Sequence, residues 1–530
     1  MAGSSKKSAN SLHAAERAVI KAARTGVLVD FSAQKQPPEI RSEVLFNLLV
    51  GLPQAGTAKV APVTARGLRI VGANITGCLD LSEWSARADD PAQIIPSIQF
   101  SHCTFSDPIY LDGCHIQGLE LVECQLPALF ALYTRFDDPV RLNGSRLAGA
   151  EHKDGAGFFA MLLDRALFSN GLFLRPNGKT RFHALAQIRA QSAVFEGDFS
   201  AVGAHLQSED GIALDLFTAN ITGGLYFMWR GDLKFRADGD ILMIGLRIAG
   251  GYMATEVQMS GRLDFSNGHV GVLADNPVSG WPEQAGQVSL SGLSYTWLRI
   301  GDEHRSGDLA GKRLNWLKLQ YKNPEQPTAQ EFDPQPFHQL AQIMRQQGMN
   351  EDADRVSIEM RTLRLSSKID PWYIRKVQTF LNWTCRFGFS GGRAISVLSL
   401  WILLGTMMFG AHAFSGSFSP AEAVMMGRHD AGMNTHITML PFPPKPRPGQ
   451  DLNTGWHQTV SRGCPGLVAP LYAIDVILPV IEFGQRRACA FDPMGPLAPL
   501  WRWLHLFYAL IGAILSAIAV VTLTGLLRRD

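Results

Sequence analysis

A short repeat of small and apolar positions runs through the N-terminal half of the chain. Between residues 103 and 147 a small residue recurs every 10 or 11 positions, and an apolar residue follows each one two places later. The small residues are Cys103, Cys114, Cys124, Thr134 and Ser145; the apolar ones are Phe105, Ile116, Leu126, Phe136 and Leu147. Apolar pairs two apart, such as Ile109 and Leu111, complete the unit. This alternation, ended by Gly or Asp, predicts a short strand, a turn and another short strand.

Weaker copies extend the repeat in both directions. The pentapeptide Ala-Asn-Ile-Thr-Gly occurs at 73–77 and again at 219–223, and looser copies follow up to residue 300. A period this short excludes helical hairpin repeats, whereas stacked β units bury one another. We predict a mainly β fold, a right-handed parallel β-helix (β-solenoid) over residues 66–312, with the handedness taken by analogy. Helical caps are expected at its ends; within residues 1–65 the candidate is the amphipathic stretch 38–50.

The small positions held by cysteine leave two interpretations open. Cys103, Cys114 and Cys124 could form a redox or metal ladder, or they could be small inward-facing residues stacked turn upon turn. Thr134 and Ser145 fill the same position in the next units, which favours packing. The sequence has no C-x-x-C pair, so neither a zinc ribbon nor a thioredoxin-like site is indicated.

Residues 313–385 change to a helical period. The stretch 337–347 places apolar residues on one face, Gly348 interrupts it, and Asn350 is predicted to be the N-cap of a second helix over 351–365. This pattern predicts an αα-hairpin, which we interpret as a lid on the β-helix in preference to a partner-binding helix pair.

A basic and aromatic segment follows the hairpin. From residue 361 to residue 393 there is one acid, Asp370, among seven cations, including Arg375, Lys376 and Arg386, with Trp383 interleaved. Cations and aromatic rings just before an apolar span are typical of the cytoplasmic headgroup layer. A nucleic-acid partner is not expected here, and the net charge of +2 adds no reason for one.

Residues 386–530 are predicted to be a membrane domain with two spans. Ala394–Phe414 and Leu504–Leu527 are long and apolar enough to cross a bilayer. Trp501 and Trp503 precede the second span, and Arg528 and Arg529 follow it, as interface anchors. The polar N-terminus lacks a signal peptide, so both termini are expected in the cytoplasm and residues 416–499 on the outer face.

The outer loop contains a third apolar stretch, Leu467–Phe483. It has two prolines and two acids, Asp475 and Glu482, and predicts a re-entrant or interfacial helix. These acids and His505 are the polar candidates at membrane depth, where burying charge is costly. Cys464 and Cys489 lie in the same loop, and a disulfide and two free thiols are both open.

The chain resembles a bacterial family of membrane-anchored, pentapeptide-repeat-like β-helix proteins, often labelled membrane-associated oxidoreductases. The resemblance rests on the Ala-Asn-Ile-Thr-Gly copies, PFHQLAQIMRQQGMNEDADRV, RFGFSGGRA, YAIDVILPVIEFGQ and the closing TLTGLLRRD. It implies the cell inner membrane as location and supplies no catalytic residues. Where relatives show a Tyr-Gly-Tyr-like motif, this chain has Phe387-Gly388-Phe389, without the hydroxyl groups.

Three functions remain open after the motif search. No G-x-G-x-x-G fingerprint, P-loop, H-E-x-x-H or G-x-S-x-G motif is present in the usual context, so catalytic and cofactor-binding residues are unknown. The first hypothesis is a scaffold that presents the β-helix face to a protein partner. The alternatives are a membrane-associated oxidoreductase, which follows from the resemblance, and an oligomeric pore lined by the acids of the re-entrant helix.

Overall fold

The computed structural model describes most of the chain in two compact units. The described residues are 12–52, 63–64, 66–82, 84, 94–155, 157–301, 307–414, 418–420, 424–428, 436–440, 467–478, 483–491 and 498–526. The units are Met1–Ile369 and Asp370–Asp530. The sequence analysis grouped 313–385 as one domain, whereas the structure separates its hairpin from its basic helix, because that helix packs on the first apolar span.

The first unit is dominated by short strands. The first half comprises β1 (Val29–Asp30), β2 (Glu39–Arg41), β3 (Leu68–Val71), β4 (Asn74–Thr76), β5 (Leu79–Asp80), β6 (Ile98–Ser101), β7 (Thr104–Phe105), β8 (Ile109–Tyr110), β9 (His115–Ile116), β10 (Leu119–Val122), β11 (Gln125–Leu126), β12 (Leu129–Phe130), β13 (Arg135–Phe136), β14 (Val140–Arg141), β15 (Arg146–Leu147), β16 (Ala150–Glu151) and β17 (Phe158–Leu162). The second half comprises β18 (Leu167–Phe168), β19 (Leu172–Phe173), β20 (His183–Ala184), β21 (Gln187–Arg189), β22 (Val194–Phe195), β23 (Phe199–Ser200), β24 (His205–Asp215), β25 (Asn220–Ile221), β26 (Leu225–Phe227), β27 (Arg236–Leu242), β28 (Arg247–Ala254), β29 (Gln258–Met259), β30 (Leu263–Asp264), β31 (His269–Leu273), β32 (Val288–Ser289) and β33 (Ser294–Leu298).

These strands stack in parallel ladders that form two sheets of 16 and 17 strands, which confirms the predicted β-solenoid-like architecture. In the regular part, Ile98 pairs with Leu119 and Glu120 with Arg141, so one turn of the coil takes 21 residues. The predicted unit of 10 or 11 residues is therefore half a turn. The inward residues form one continuous apolar core along the coil.

The small positions of the repeat are explained by a main-chain hydrogen bond. Each follows a residue with positive φ, such as Tyr133 (55°) before Thr134. The Thr134 hydroxyl donates to the Leu111 carbonyl (2.7 Å), and the Ser145 hydroxyl donates to the Leu121 carbonyl (2.8 Å) on the preceding turn. The sulfur atoms of the three cysteines at these positions make the same kind of bond to carbonyls. This geometry supports the packing interpretation of the cysteines.

The N-terminal segment forms α1 (Ala14–Thr25) and α2 (Ser42–Leu49). The helix predicted over 38–50 begins only at Ser42, because Glu39–Arg41 pairs as a strand with Asn74–Thr76. The carboxylate of Glu16 ties the two parts together, since it accepts hydrogen bonds from Arg41 (2.7 and 2.8 Å) and from the His13 backbone. Burial would raise the pKa of Glu16, but these bonds outweigh it and lower the pKa to about 2.

Helices α3 (Leu309–Lys318), α4 (Gln335–Gln346) and α5 (Asn350–Ser366) follow the last strand. The predicted hairpin is present, but Asn350 is the first helical residue and Met349 occupies the N-cap position. Glutamine amides of α4 and its C-terminal end donate to carbonyls at the coil's last strand: Gln339 to Tyr295 (2.7 Å) and Gln347 to Leu298 (2.8 Å). They satisfy acceptors that an edge strand otherwise leaves open.

A buried ion pair joins α3 to the coil. Arg313, 1% exposed, donates to both carboxylate oxygens of Asp275 at 2.8 Å. The indole N–H of Trp281 donates to the same carboxylate. Paired and hydrogen-bonded on several sides, these charges can be buried, whereas either one alone could not.

The second unit contains two long apolar helices. Its helices are α6 (Trp372–Cys385), α7 (Gly391–Phe414), α8 (Ala469–Ile477), α9 (Gln485–Ala488) and α10 (Ala498–Leu523), with a 3₁₀ turn at Arg386–Gly388 and strands β34 (Phe418–Pro420), β35 (Val424–Arg428), β36 (His436–Leu440) and β37 (Cys489–Phe491). Helices α7 and α10 are long and apolar enough to cross a membrane, with mean hydropathy of 1.9 and 2.4. The second helix begins six residues before the predicted Leu504, so Trp501 and Trp503 lie in its first turns.

Helix α8 packs against both long helices. It covers nine of the 17 residues predicted as a re-entrant or interfacial helix and ends before Pro479. At 1.5 Å per residue it spans only about 13 Å, too short to cross a bilayer. The Tyr508 hydroxyl donates to the Ala473 carbonyl (3.4 Å), and Gly512 of α10 faces Ile477 closely enough that a Cβ would overlap it.

Candidate functional site

An insertion interrupts the regular coil after Leu147. Leu129 pairs with Met161, 32 residues further on, where the preceding turns take 21. The extra residues form an antiparallel hairpin from β16 and the start of β17. This hairpin lies over a second apolar cluster on the outside of the coil, whose members are Tyr110, Ala128, Phe130, Phe159 and Leu162. The departure from the repeat therefore builds a local structure of its own.

The tip of the hairpin closes one side of an open cavity of about 480 Å³. Corners of successive coil turns and the end of α2 form its other walls. Trp84 and Phe46 meet edge to face, with ring centroids 5.9 Å apart. The lining residues are Phe46, Asp80, Ser82, Trp84, Asp112, Gly113, Leu132, Tyr133, Lys153 and Asp154. The cavity thus combines aromatic walls with three carboxylates and one ammonium group.

A polar network fixes Lys153 at the cavity. Its ammonium group donates to the Asp80 carboxylate (3.0 Å) and the Ser82 hydroxyl (2.8 Å). It also lies 4.8 Å from the centre of the Tyr110 ring, within cation–π range. Burial would raise the pKa of Asp80, but the bonds from Ser82 and Lys153 lower it below its ordinary value.

The neighbouring His152 is 2% exposed and holds the hairpin against the coil. Its Nε2 lies 3.1 Å from the Asp112 carboxylate, whose other oxygen accepts the Leu132 backbone N–H at 2.8 Å. The ring also packs against Phe130, with centroids 4.9 Å apart. Asp112 is therefore oriented from two directions and positions the start of the hairpin loop.

The arrangement is suited to binding rather than to proton or acyl transfer. Lys153 donates to a carboxylate, so it is an ammonium group and not a base. Burial, with Asp80 and Asp107 nearby, raises the pKa of the Cys78 thiol, which disfavours the nucleophilic thiolate. Within the described part of the chain, no group of three or more His, Cys, Asp or Glu residues could hold a metal ion.

The polar residues predicted at membrane depth have separate environments. Asp475 is 4% exposed, and its two carboxylate oxygens accept the backbone N–H groups of Phe483 (3.0 Å) and Arg486 (2.9 Å). His505 of α10 lies against the rings of Phe409 and Tyr472. Glu482 lies outside the described residues. Asp475 thus ties α8 to the segment that follows it.

The predicted interface anchors of α6 and α10 carry exposed rings and cations. Trp383 and Trp503 are 60% and 61% exposed, Lys376 and Arg386 are exposed, and Arg375 and Trp501 are partly exposed. Phe387 and Phe389, which replace the tyrosines of the resembled family, are buried. Arg528 and Arg529 lie outside the described residues.

The described cysteines divide into two chemical states. Cys489 is disulfide-bonded, while Cys78, Cys103, Cys114, Cys124 and Cys385 are free thiols. The remaining cysteine of the chain, Cys464, lies outside the described residues. The free thiols precede the first apolar helix and the bonded one follows it.

Comparison with protein-family models, curated proteins and solved structures finds no match to this chain. The site therefore rests on its own geometry. Sequence reasoning missed the cavity, although one signal pointed to it: the step from Ser145 to the next small position, Ala166, is twice the usual length. The interrupting segment carries the polar run His152-Lys153-Asp154.

Proposed function

We propose that this chain is an inner-membrane protein that presents a right-handed, helix-capped β-solenoid to the cytoplasm as a scaffold for a protein partner. The two apolar helices anchor it, and both termini are cytoplasmic. The hairpin cavity is where the partner would insert a basic side chain. The observation that carries the proposal is the departure of the coil from its repeat to form an acidic, aromatic-walled cavity.

The outer surfaces of the long helices support the membrane anchor. Only 17% and 33% of the residues in their most apolar windows are buried, unlike the core helices of a soluble protein. Exposed apolar side chains line both helices, including Leu400, Met407, Phe507, Leu510 and Val520. Contiguous apolar surface of this kind is stable in lipid and not in water.

The cysteine states support the proposed sidedness. Disulfides persist in oxidising compartments, whereas cytoplasmic thiols stay reduced. The bonded Cys489 lies between the two apolar helices, and the free thiol of Cys78 is exposed on the solenoid unit. This distribution fits an outer loop and a cytoplasmic solenoid.

The chemistry of the cavity supports a cationic side chain as the bound group. Asp154 is 76% exposed and its carboxylate faces no ammonium group, while Tyr133 presents a ring that is 61% exposed. Carboxylates with aromatic faces are the usual surroundings of Lys and Arg at interfaces. Lys153 already occupies such surroundings within the chain, between Asp80 and Tyr110.

The alternative functions draw less support from the described residues. Asp475 directs both carboxylate oxygens to backbone amides, which is a structural cap rather than an ion path. The raised pKa of Cys78 disfavours thiol redox chemistry at the cavity. The scaffold is therefore the function we propose.

Site-specific photo-crosslinking tests the scaffold. With a benzophenone amino acid in place of Tyr133, we expect a discrete cross-linked adduct on irradiation of cells. Asp154→Asn should reduce its yield several-fold, because a charge at the rim of an interface steers the partner and holds it. The yield is measured by immunoblot of the full-length chain.

Two controls make this test decisive. The benzophenone placed at Trp297 on the last strand, which is 54% exposed, should give no adduct of that mass. Asp232→Asn, an exposed acid elsewhere on the coil, should leave the Tyr133 adduct unchanged. Equal adducts at both positions, or no effect of Asp154→Asn, would argue against the cavity as the docking point.

A further inference from the structure

A second departure from the repeat gathers three arginines on another edge of the coil. One loop starts at Arg175 and closes through the Asn177–Thr180 bridge; a similar loop in a later turn closes through the Arg230–Leu233 bridge. Arg141 pairs in register with Phe173 on the neighbouring strand. Adjacent parallel strands lie about 4.8 Å apart, so outward side chains of successive turns are necessarily close.

The first two guanidinium groups share one aromatic ring. The Cζ atom of Arg175 lies 4.5 Å from the centre of the Phe173 ring, and that of Arg141 lies 5.9 Å from it. Burial lowers the pKa of Arg175, and the charges of Arg230 and Arg141 lower it further, against an opposing contribution from Asp198. The three cations are therefore near enough to repel one another.

Other arginines of the coil have acidic partners. Arg189 pairs with Asp164, Arg236 with Asp238 and Arg262 with Asp264, at 2.8 to 3.1 Å. These pairs are made between residues of one strand or of neighbouring turns. They show that the outward positions of this coil readily supply a carboxylate where an arginine needs one.

The three clustered arginines differ in this respect. Among the residues that the structure describes, Arg141, Arg175 and Arg230 make no ion pair within 4.0 Å. Arg175 donates through Nε to the hydroxyl of the buried Ser200 (2.7 Å), which fixes its direction. The nearby Asp198 uses one oxygen to accept the Gly224 backbone N–H (2.9 Å). The cluster is thus oriented and lacks a paired anion.

We propose that Arg141, Arg175 and Arg230 form a binding site for a phosphate group. The planar guanidinium fork matches the oxygens of phosphate, and several arginines around one dianion convert mutual repulsion into attraction. The phosphate belongs to a soluble ligand or to a lipid headgroup, which share this chemistry. The site is separate from the hairpin cavity and does not depend on the scaffold function.

Calorimetric titration of the full-length protein in a neutral detergent tests the site. Inorganic pyrophosphate should bind with one site, and Arg175→Gln should weaken the Kd by about tenfold, since one charge-assisted hydrogen bond is lost. Arg141→Gln should act in the same direction. Arg175→Lys should recover part of the affinity, because it restores the charge without the fork.

A matched control separates this site from general charge effects. Arg262→Gln removes an arginine of the same coil that is paired with Asp264, and it should leave the Kd unchanged. Equal unfolding midpoints by circular dichroism establish that each variant is folded. A folded wild-type chain that binds neither pyrophosphate nor short-chain phosphatidate, or an equal loss in Arg262→Gln, would overturn the proposal.

The source of the phosphate is read from the same experiment. Tighter binding of dibutyroyl phosphatidate than of pyrophosphate, with competition between them, assigns the site to a lipid headgroup. The reverse order assigns it to a soluble phosphorylated ligand. Either order, with the loss in Arg175→Gln, supports the site.

Discussion

Arg313→Ala is expected to lower the free energy of unfolding of the β-solenoid by about 3–5 kcal/mol, because it leaves the buried carboxylate of Asp275 without its ion-pair partner. Arg313 supplies two hydrogen bonds at 2.8 Å to that carboxylate. Asp275 is 6% exposed, so water cannot replace them. The measurement is urea unfolding of the full-length protein in detergent, followed by the fluorescence of Trp281 and Trp316 beside the pair.

Two comparisons identify the cause. Arg262→Ala removes an exposed arginine from its pair with Asp264 and should cost less than about 1 kcal/mol. Asp275→Leu combined with Arg313→Met removes both charges and should recover most of the loss, since no uncompensated charge stays buried. An Arg313→Ala effect no larger than that of Arg262→Ala would mean that the pair does not hold α3 on the coil.

Gly512→Ala is expected to destabilise the second unit by about 2 kcal/mol or more, because the new methyl group meets the side chain of Ile477. Alanine has the better helix propensity by about 1 kcal/mol, so the helix itself would gain stability. A net loss therefore reports on packing alone. It is measured as the temperature at which the detergent-purified protein loses its monodisperse peak in size-exclusion chromatography.

Gly392→Ala is the matched control for this substitution. It lies on α7, where nothing is within 4 Å of the added methyl group, and it should be neutral or slightly stabilising. Between membrane helices, small residues allow the close approach on which packing depends. If Gly512→Ala is as stable as Gly392→Ala, α8 does not pack in the groove between the long helices.

The coil was predictable because its signal is repeated many times. Thr134 and Ser145 in the cysteine positions were enough to indicate stacking, and the structure adds the reason in the carbonyl bonds of those side chains. The half-turn size of the unit was not predictable. A period in sequence does not state how many strands close one turn, which depends on the corner geometry.

The cavity could not be derived from the repeat, since it exists where the repeat fails. Asp80, Asp112 and Lys153 are up to 73 residues apart and meet only because an inserted hairpin folds back over earlier turns. Local pattern carries no information about such long-range contacts. Similarly, the start of α10 at Ala498 and the strand at Glu39–Arg41 depend on tertiary pairing and packing that override local propensity.

Thiol labelling of membrane vesicles tests the central claim, a membrane-anchored solenoid facing the cytoplasm. Cys78 is exposed on the solenoid unit, while the other free cysteines of the described chain are buried. An impermeant maleimide should label Cys78 in inverted inner-membrane vesicles and not in intact spheroplasts, and Cys78→Ser should abolish the signal. Labelling in intact spheroplasts, at a level that Cys78→Ser removes, would contradict the account.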